Sequence, residues 1–190
     1  NVLKETFEFV PGNVTSTLSL RKIVGRLEEQ GMKVSATTIE NYLRYWVSAY
    51  AIEKLTKFDF KLSRVFARTA KYYVVDNSLI SGRHESDEKR LENLVYNELI
   101  RIYGREHVFF GQNENGYEVD FVVNKEGKFL CFQVCLRLTD ENSKREFGNL
   151  QLAQKHLGGD GTVLYVDNAL TTHSSEHPAL PVIEWLLYKG

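Results

Sequence analysis

Gly116-Tyr117-Glu118-Val119-Asp120-Phe121-Val122-Val123 and Phe129-Leu130-Cys131-Phe132-Gln133-Val134-Cys135 flank the turn Asn124-Lys125-Glu126-Gly127. Both runs are rich in β-branched and aromatic residues, so the segment reads as two antiparallel strands joined by a hairpin. Side chains alternate faces along a strand. Glu118 and Asp120 therefore share one face of the first strand, and Gln133 and Cys135 share one face of the second.

On the N-terminal side of the hairpin, a helix is expected from about 87 to 103, with Leu91, Leu94, Val95, Leu99 and Ile102 inward and Gly104 as its stop. Strands follow at about 107–111, 117–123 and 128–136. Thr139 is placed to cap a helix over 140–157 that Gly158-Gly159 closes, and Thr162-Val163-Leu164-Tyr165-Val166 reads as a buried strand. The order is helix, three strands, helix, strand.

The N-terminal part has a different pattern. Leu20, Ile23, Val24 and Leu27 recur at helical spacing until Gln30-Gly31. Ser35 can cap a second helix over 36–50, with Ile39, Leu43, Trp46, Val47 and Tyr50 as its apolar stripe. Extended segments at 51–55 and 71–76 follow, so the arrangement reads as a winged helix-turn-helix. Lys57, Lys61, Arg64 and Arg68 fall between those segments, as a wing that touches nucleic acid or as a solvated loop in a protein-binding version of the same fold. The polar stretch Ser81-Gly82-Arg83-His84-Glu85-Ser86-Asp87 places a boundary between domains 1–82 and 83–190. The chain opens at Asn1 rather than Met, and 1–10 reads as the middle of a helix whose apolar face lacks a partner. A piece of a longer protein is expected.

The composition of the 190 residues, 43% hydrophobic and 26% charged, is that of an ordinary globular chain. Net charge is −1, but unevenly spread: 1–82 carry 12 Lys and Arg against 8 Asp and Glu, and 83–190 carry 12 against 17. An acidic second part argues mildly against tight phosphate-backbone binding there. Cys131 and Cys135 lie four apart on a strand, about 13 Å at a rise of about 3.3 Å per residue, too far to pair with each other. No disulfide and no thiolate zinc site are expected. No signal peptide or long apolar run appears, which favours a cytoplasmic location and no membrane partner.

The element order, with carboxylates on the middle strands and Glu92 on the preceding helix, resembles the restriction-endonuclease-like fold. Members of that fold carry an Asp followed, on the next strand, by Glu-x-Lys. The matching positions here are Asp120, Gln133 and Cys135. Mg²⁺ wants hard oxygen ligands, and hydrolysis wants a cation nearby. Gln133 removes one negative charge from such a site, and the Cys135 thiol cannot replace an ammonium.

Four runs extend the resemblance along nearly the whole chain: Thr38-Ile39-Glu40-Asn41-Tyr42-Leu43, Lys71-Tyr72-Tyr73-Val74-Val75-Asp76-Asn77-Ser78-Leu79, Leu91-Glu92-Asn93-Leu94-Val95, and Gly116 to Val122. Together they resemble the C-terminal region of predicted bacterial and archaeal ATPases of the AAA type. In that family a P-loop domain precedes a winged helix and a nuclease-like domain of unknown function. The resemblance implies that ATP and any ATPase-driven oligomer belong to sequence outside this chain, which has no Gly-x-x-x-x-Gly-Lys run.

Three readings follow. The favoured one is a non-enzymatic region, with vestigial Gln133 and Cys135, that binds a protein or nucleic-acid partner. The alternative is a Mg²⁺-dependent DNA nuclease with a migrated site, whose metal candidates are Glu92, Glu118 and Asp120 and whose cation is Lys144 or Arg145. The third takes the N-terminal domain alone as a DNA-binding module using Lys57, Lys61, Arg64 and Arg68.

Overall fold

The computed structural model describes residues 1–80, 86–170 and 178–189, with only the backbone of residues 67, 68, 86 and 189. It is a mixed α/β protein that divides into two compact units, one of residues 1–56 and 67–93 and the other of 57–66 and 94–190. The division differs from a single cut, because two strands and one helix each contribute to both units. The boundary expected at 82/83 lies outside the described residues.

The first unit holds α1 (Val2–Gly12), α2 (Leu20–Glu29) and α3 (Ala36–Ser48). With them lie the first part of β1 (Ile52–Asp59), the last part of β2 (Arg64–Val74) and the first turns of α4 (Ser86–Tyr103). Ser19 and Ser35 cap α2 and α3, their hydroxyls accepting from the amides of Lys22 and Thr38 respectively. Ile23, Leu27, Ile39 and Leu43 are buried in one core, as their spacing predicts. Tyr50 is not part of that stripe: it lies beyond the end of α3 at φ +56° and is exposed. The opening helix also differs from its expectation, because its apolar face has partners. Asn1 caps α1, Val10 is wholly buried in the common core, and Phe7 packs edge-on against Trp46 with ring centres 5.1 Å apart.

The segment expected to be a basic loop is instead mostly strand. Lys57 lies in β1, Arg64 and Arg68 lie in β2, and only Lys61 sits in the connection. Asp59 makes that connection short by accepting from the amides of Lys61 and Leu62.

Asn93, fully buried on α4, binds the end of β2. Its Oδ1 accepts from the Val74 amide at 2.8 Å, and its Nδ2 donates to the Val74 carbonyl at 2.9 Å and to Asn77 Oδ1 at 2.8 Å. A side-chain amide thus stands in for a neighbouring strand. Asn93→Leu leaves two buried main-chain groups without this partner and should cost about 2 to 3 kcal/mol, at about 1 to 3 kcal/mol for each unsatisfied buried group. Urea unfolding measures it, and a loss below about 0.5 kcal/mol would show that the bond set is dispensable.

The strand order is β2-β1-β3-β4-β5-β6-β7, formed with β3 (Val108–Gln112), β4 (Glu118–Lys125), β5 (Lys128–Thr139), β6 (Asp160–Ala169) and β7 (Ala179–Pro181) of the second unit. β1 joins these through Lys57 and Phe58, parallel to β3. The β3-β4 and β4-β5 pairs are antiparallel, while β5-β6 and β6-β7 are parallel. α5 (Asp140–Leu157) connects β5 to β6, starting from a capping box in which Thr139 and Asn142 exchange bonds.

Leu150 and Ala153 of α5 share a core with Cys131, Cys135 and Val163. Phe132, the residue after Cys131 on β5, faces the other way and meets Trp185 of α6 (Val182–Lys189). In the same unit Tyr96 stacks on Phe121. Tyr96 therefore takes an inward place that the helical pattern gave to Leu94, which is exposed. β7 and α6 lie beyond the last element read from the sequence.

Candidate functional site

The hairpin turn has Glu126 at φ +54° and Gly127 at φ +77°, the two positive values of a type I′ turn. From there the β4-β5 ladder runs from Lys125–Lys128 to Phe121–Phe132. On the other edge of β4, Phe109 pairs with Val122 and Gly111 with Val119, so Phe110 alone faces both Asp120 and Phe121. This is a β-bulge at the candidate aspartate, a device that re-aims a side chain. Gly111 accommodates the close approach, since a Cβ there would come 2.8 Å from Val122.

Beyond the Phe121–Phe132 pair, side chains continue the pairing. Asp120 Oδ2 accepts from the Val134 amide at 2.8 Å, and Gln133 Oε1 accepts from the Asp120 amide at 2.8 Å. Gln133 Nε2 donates to Glu146 Oε2 at 3.0 Å and lies 3.5 Å from the Glu118 carbonyl. Glu146, on α5, is only 2% exposed and also accepts from Arg145 Nε at 3.1 Å. The hydrogen-bonded cluster is therefore Asp120, Gln133, Glu146 and Arg145.

Sequence reasoning missed Glu146. Its signal was present: Glu146, Leu150 and Ala153 follow helical spacing on the buried face of α5, so a carboxylate occupies a position the pattern assigns to an apolar residue.

The other candidates have different surroundings. Cys135 lies in the apolar core with Cys131, neither of them in a disulfide, and burial pushes the Cys131 pKa up to about 12. Glu118 Oε2 accepts from Gln112 Nε2 at 3.2 Å. Glu92 belongs to the first unit, where it accepts from the Tyr73 hydroxyl at 2.6 Å and lies 3.5 Å from the Lys71 ammonium. Among the described residues, no group of three or more His, Cys, Asp or Glu side chains is placed to hold a metal ion. The donor set does not fit Mg²⁺ in this arrangement: the Gln133 amide is occupied at both ends, and one Asp120 oxygen is held by β5.

The basic candidates are also engaged. Lys57 Nζ lies 3.7 Å from Asp59 and 5.4 Å from the centre of the Phe66 ring, over which Arg64 sits at 4.5 Å. Lys61 bonds Glu114, whose carboxylate raises the Lys61 pKa. The Arg68 side chain lies outside the described residues. Among the described residues no helix is long and apolar enough to cross a membrane.

Residues 88–185 match the family model described as Domain of unknown function (DUF4143), and residues 1–92 match that described as Domain of unknown function (DUF8612). An uncharacterized protein of Methanocaldococcus jannaschii is 34% identical over 183 residues, which cover 90% of this chain and 41% of that protein. An uncharacterized protein of Haemophilus influenzae is 28% identical over 152 residues, 77% of this chain and 37% of that protein. The chain thus spans about two fifths of the length of these relatives. No solved structure matches it.

Proposed function

The chain belongs to the DUF4143 family, and we propose that it is a non-catalytic binding region whose first unit is of the winged helix-turn-helix kind. Its second unit is, on this reading, of the restriction-endonuclease-like kind, with the metal site converted into a brace between strands. The observation that carries the proposal is the exchange of side-chain bonds between Asp120 and Gln133 across β4 and β5. Oxygens that would face a metal in a nuclease here bond main-chain amides.

The partner is a protein rather than nucleic acid. Phosphate binding draws on cations that no carboxylate already neutralises, whereas Lys57 and Lys61 are placed against the carboxylates of Asp59 and Glu114. In a longer polypeptide the region would follow an AAA-type P-loop ATPase domain, the source of any ATP binding and of any oligomer.

A second reading, a Mg²⁺-dependent nuclease with a migrated site, draws support from Glu146, a buried carboxylate beside Gln133, and from the Arg145 cation bonded to it. It would require the brace to open. Incubating the chain with duplex, single-stranded and branched DNA in Mg²⁺ or Mn²⁺ separates the two. No cutting above an Asp120→Ala control is expected; cutting that Asp120→Ala abolishes would replace the first reading with the second.

A further inference from the structure

The first unit contains a cavity of about 720 Å³ between α3, the start of α2 and the two strands. That volume lies within the range of about 300 to 1,000 Å³ usual for small-molecule sites. Leu18, Leu43, Val47 and Ala70 give it an apolar lining. Glu40, Arg44 and Lys54 line it as well, so charges of both signs are present and the lining selects no ligand by its sign.

Tyr72 of β2 and Glu40 of α3 decide what kind of molecule fits. Tyr72 lines the cavity and is only 8% exposed, yet its hydroxyl has no hydrogen-bond partner among the described residues. Glu40 has no hydrogen bond or ion pair among them either, whereas Arg44 bonds Asn41 at 3.0 Å and lies over the Tyr45 ring. Burial, and then the charge of Glu40, push the Tyr72 pKa up to about 12, so at neutral pH the hydroxyl keeps its proton and donates. The cavity thus offers one donor and, within reach of its charge, one acceptor. An anion would be received by Tyr72 but repelled by Glu40, and an ammonium would bond Glu40 but accept nothing from Tyr72. We infer that this cavity binds a small neutral molecule with an apolar body and a carboxamide group, whose carbonyl accepts from Tyr72 and whose N–H donates to Glu40. The inference stands independently of what the second unit does.

Calorimetric titration of the chain with 2-naphthamide tests it, beside the anion 2-naphthoate, the cation 2-naphthylmethylammonium and the ketone 2-acetylnaphthalene, which accepts but does not donate. One-to-one binding of the amide is expected, about tenfold tighter than either ion and several-fold tighter than the ketone. The advantage over the ketone should vanish in Glu40→Ala, whose exposed position leaves the core untouched. Tyr72→Phe should weaken amide and ketone alike, several-fold. An ion that binds as tightly as the amide, an advantage over the ketone that survives Glu40→Ala, an amide affinity unchanged in Tyr72→Phe, or no binding of the amide up to its solubility would each overturn the assignment.

Discussion

Writing Glu-x-Lys back into β5, as Gln133→Glu with Cys135→Lys, is expected to cost the fold about 5 kcal/mol or more and to produce no nuclease. Cys135 is 7% exposed in the core with Leu150 and Val163, and an ammonium placed there is desolvated among apolar neighbours. Gln133→Glu removes the Nε2 that donates to Glu146 at 3.0 Å and sets two carboxylates against each other. Small domains are stable by about 5 to 15 kcal/mol, so the double variant should be largely unfolded or close to it.

The single variant Gln133→Glu isolates the second effect through its pH dependence. Two carboxylates at hydrogen-bond distance retain a proton, which raises the folded-state pKa of the pair above the ordinary glutamate value of about 4.3. The folded state then binds more protons than the unfolded one, so stability falls as pH rises above about 4.3. Urea unfolding of the variant against the parent chain at pH 5 and pH 8 should give the larger deficit at pH 8. An equal deficit at both would mean that the two carboxylates do not face each other.

Glu92→Ala is expected to cost about 3 kcal/mol of stability. Lys71 is 1% exposed and Tyr73 fully buried, and the Glu92 carboxylate serves both. Removing one member of a buried charge pair costs about 3 to 5 kcal/mol, and the lower end applies here because Lys71 keeps other interactions. Glu92→Gln keeps an oxygen for the Tyr73 hydroxyl and should lose less. Chemical denaturation gives both values; a Glu92→Ala loss below about 1 kcal/mol would return Glu92 to the candidates for a role other than bracing Lys71 and Tyr73.

Much of the architecture is legible in the sequence because local chemistry decides it. Ser35, Thr139 and Gly158 mark helix ends by capping and by positive φ, and the alternation around Val122 and Cys131 reports a sheet covered on one face by α5. The long reach of β1 and β2 is not legible. Lys57, Arg64 and Arg68 look like loop residues by charge, but they are strand residues, and Phe66 carries two of the cations on its ring.

At the candidate site, alternation brings Asp120 and Gln133 near each other. It cannot show the bulge opposite Phe110, because a bulge is set by register with a neighbouring strand rather than by the strand's own residues. Nor can it show that Glu92 serves Lys71 and Tyr73, contacts between residues 21 and 19 positions apart.

Whether the Asp120 carboxylate holds the Val134 amide in place of a metal is open to Mn²⁺ titration followed by amide NMR, since a bound paramagnetic ion broadens the signals around it. With the brace closed, the amide signals of Asp120 and Val134 broaden no more than those of other residues as Mn²⁺ is added to stoichiometry. Selective broadening of those two signals, absent in Asp120→Ala, would mean that a metal takes the carboxylate and that the brace is not its role.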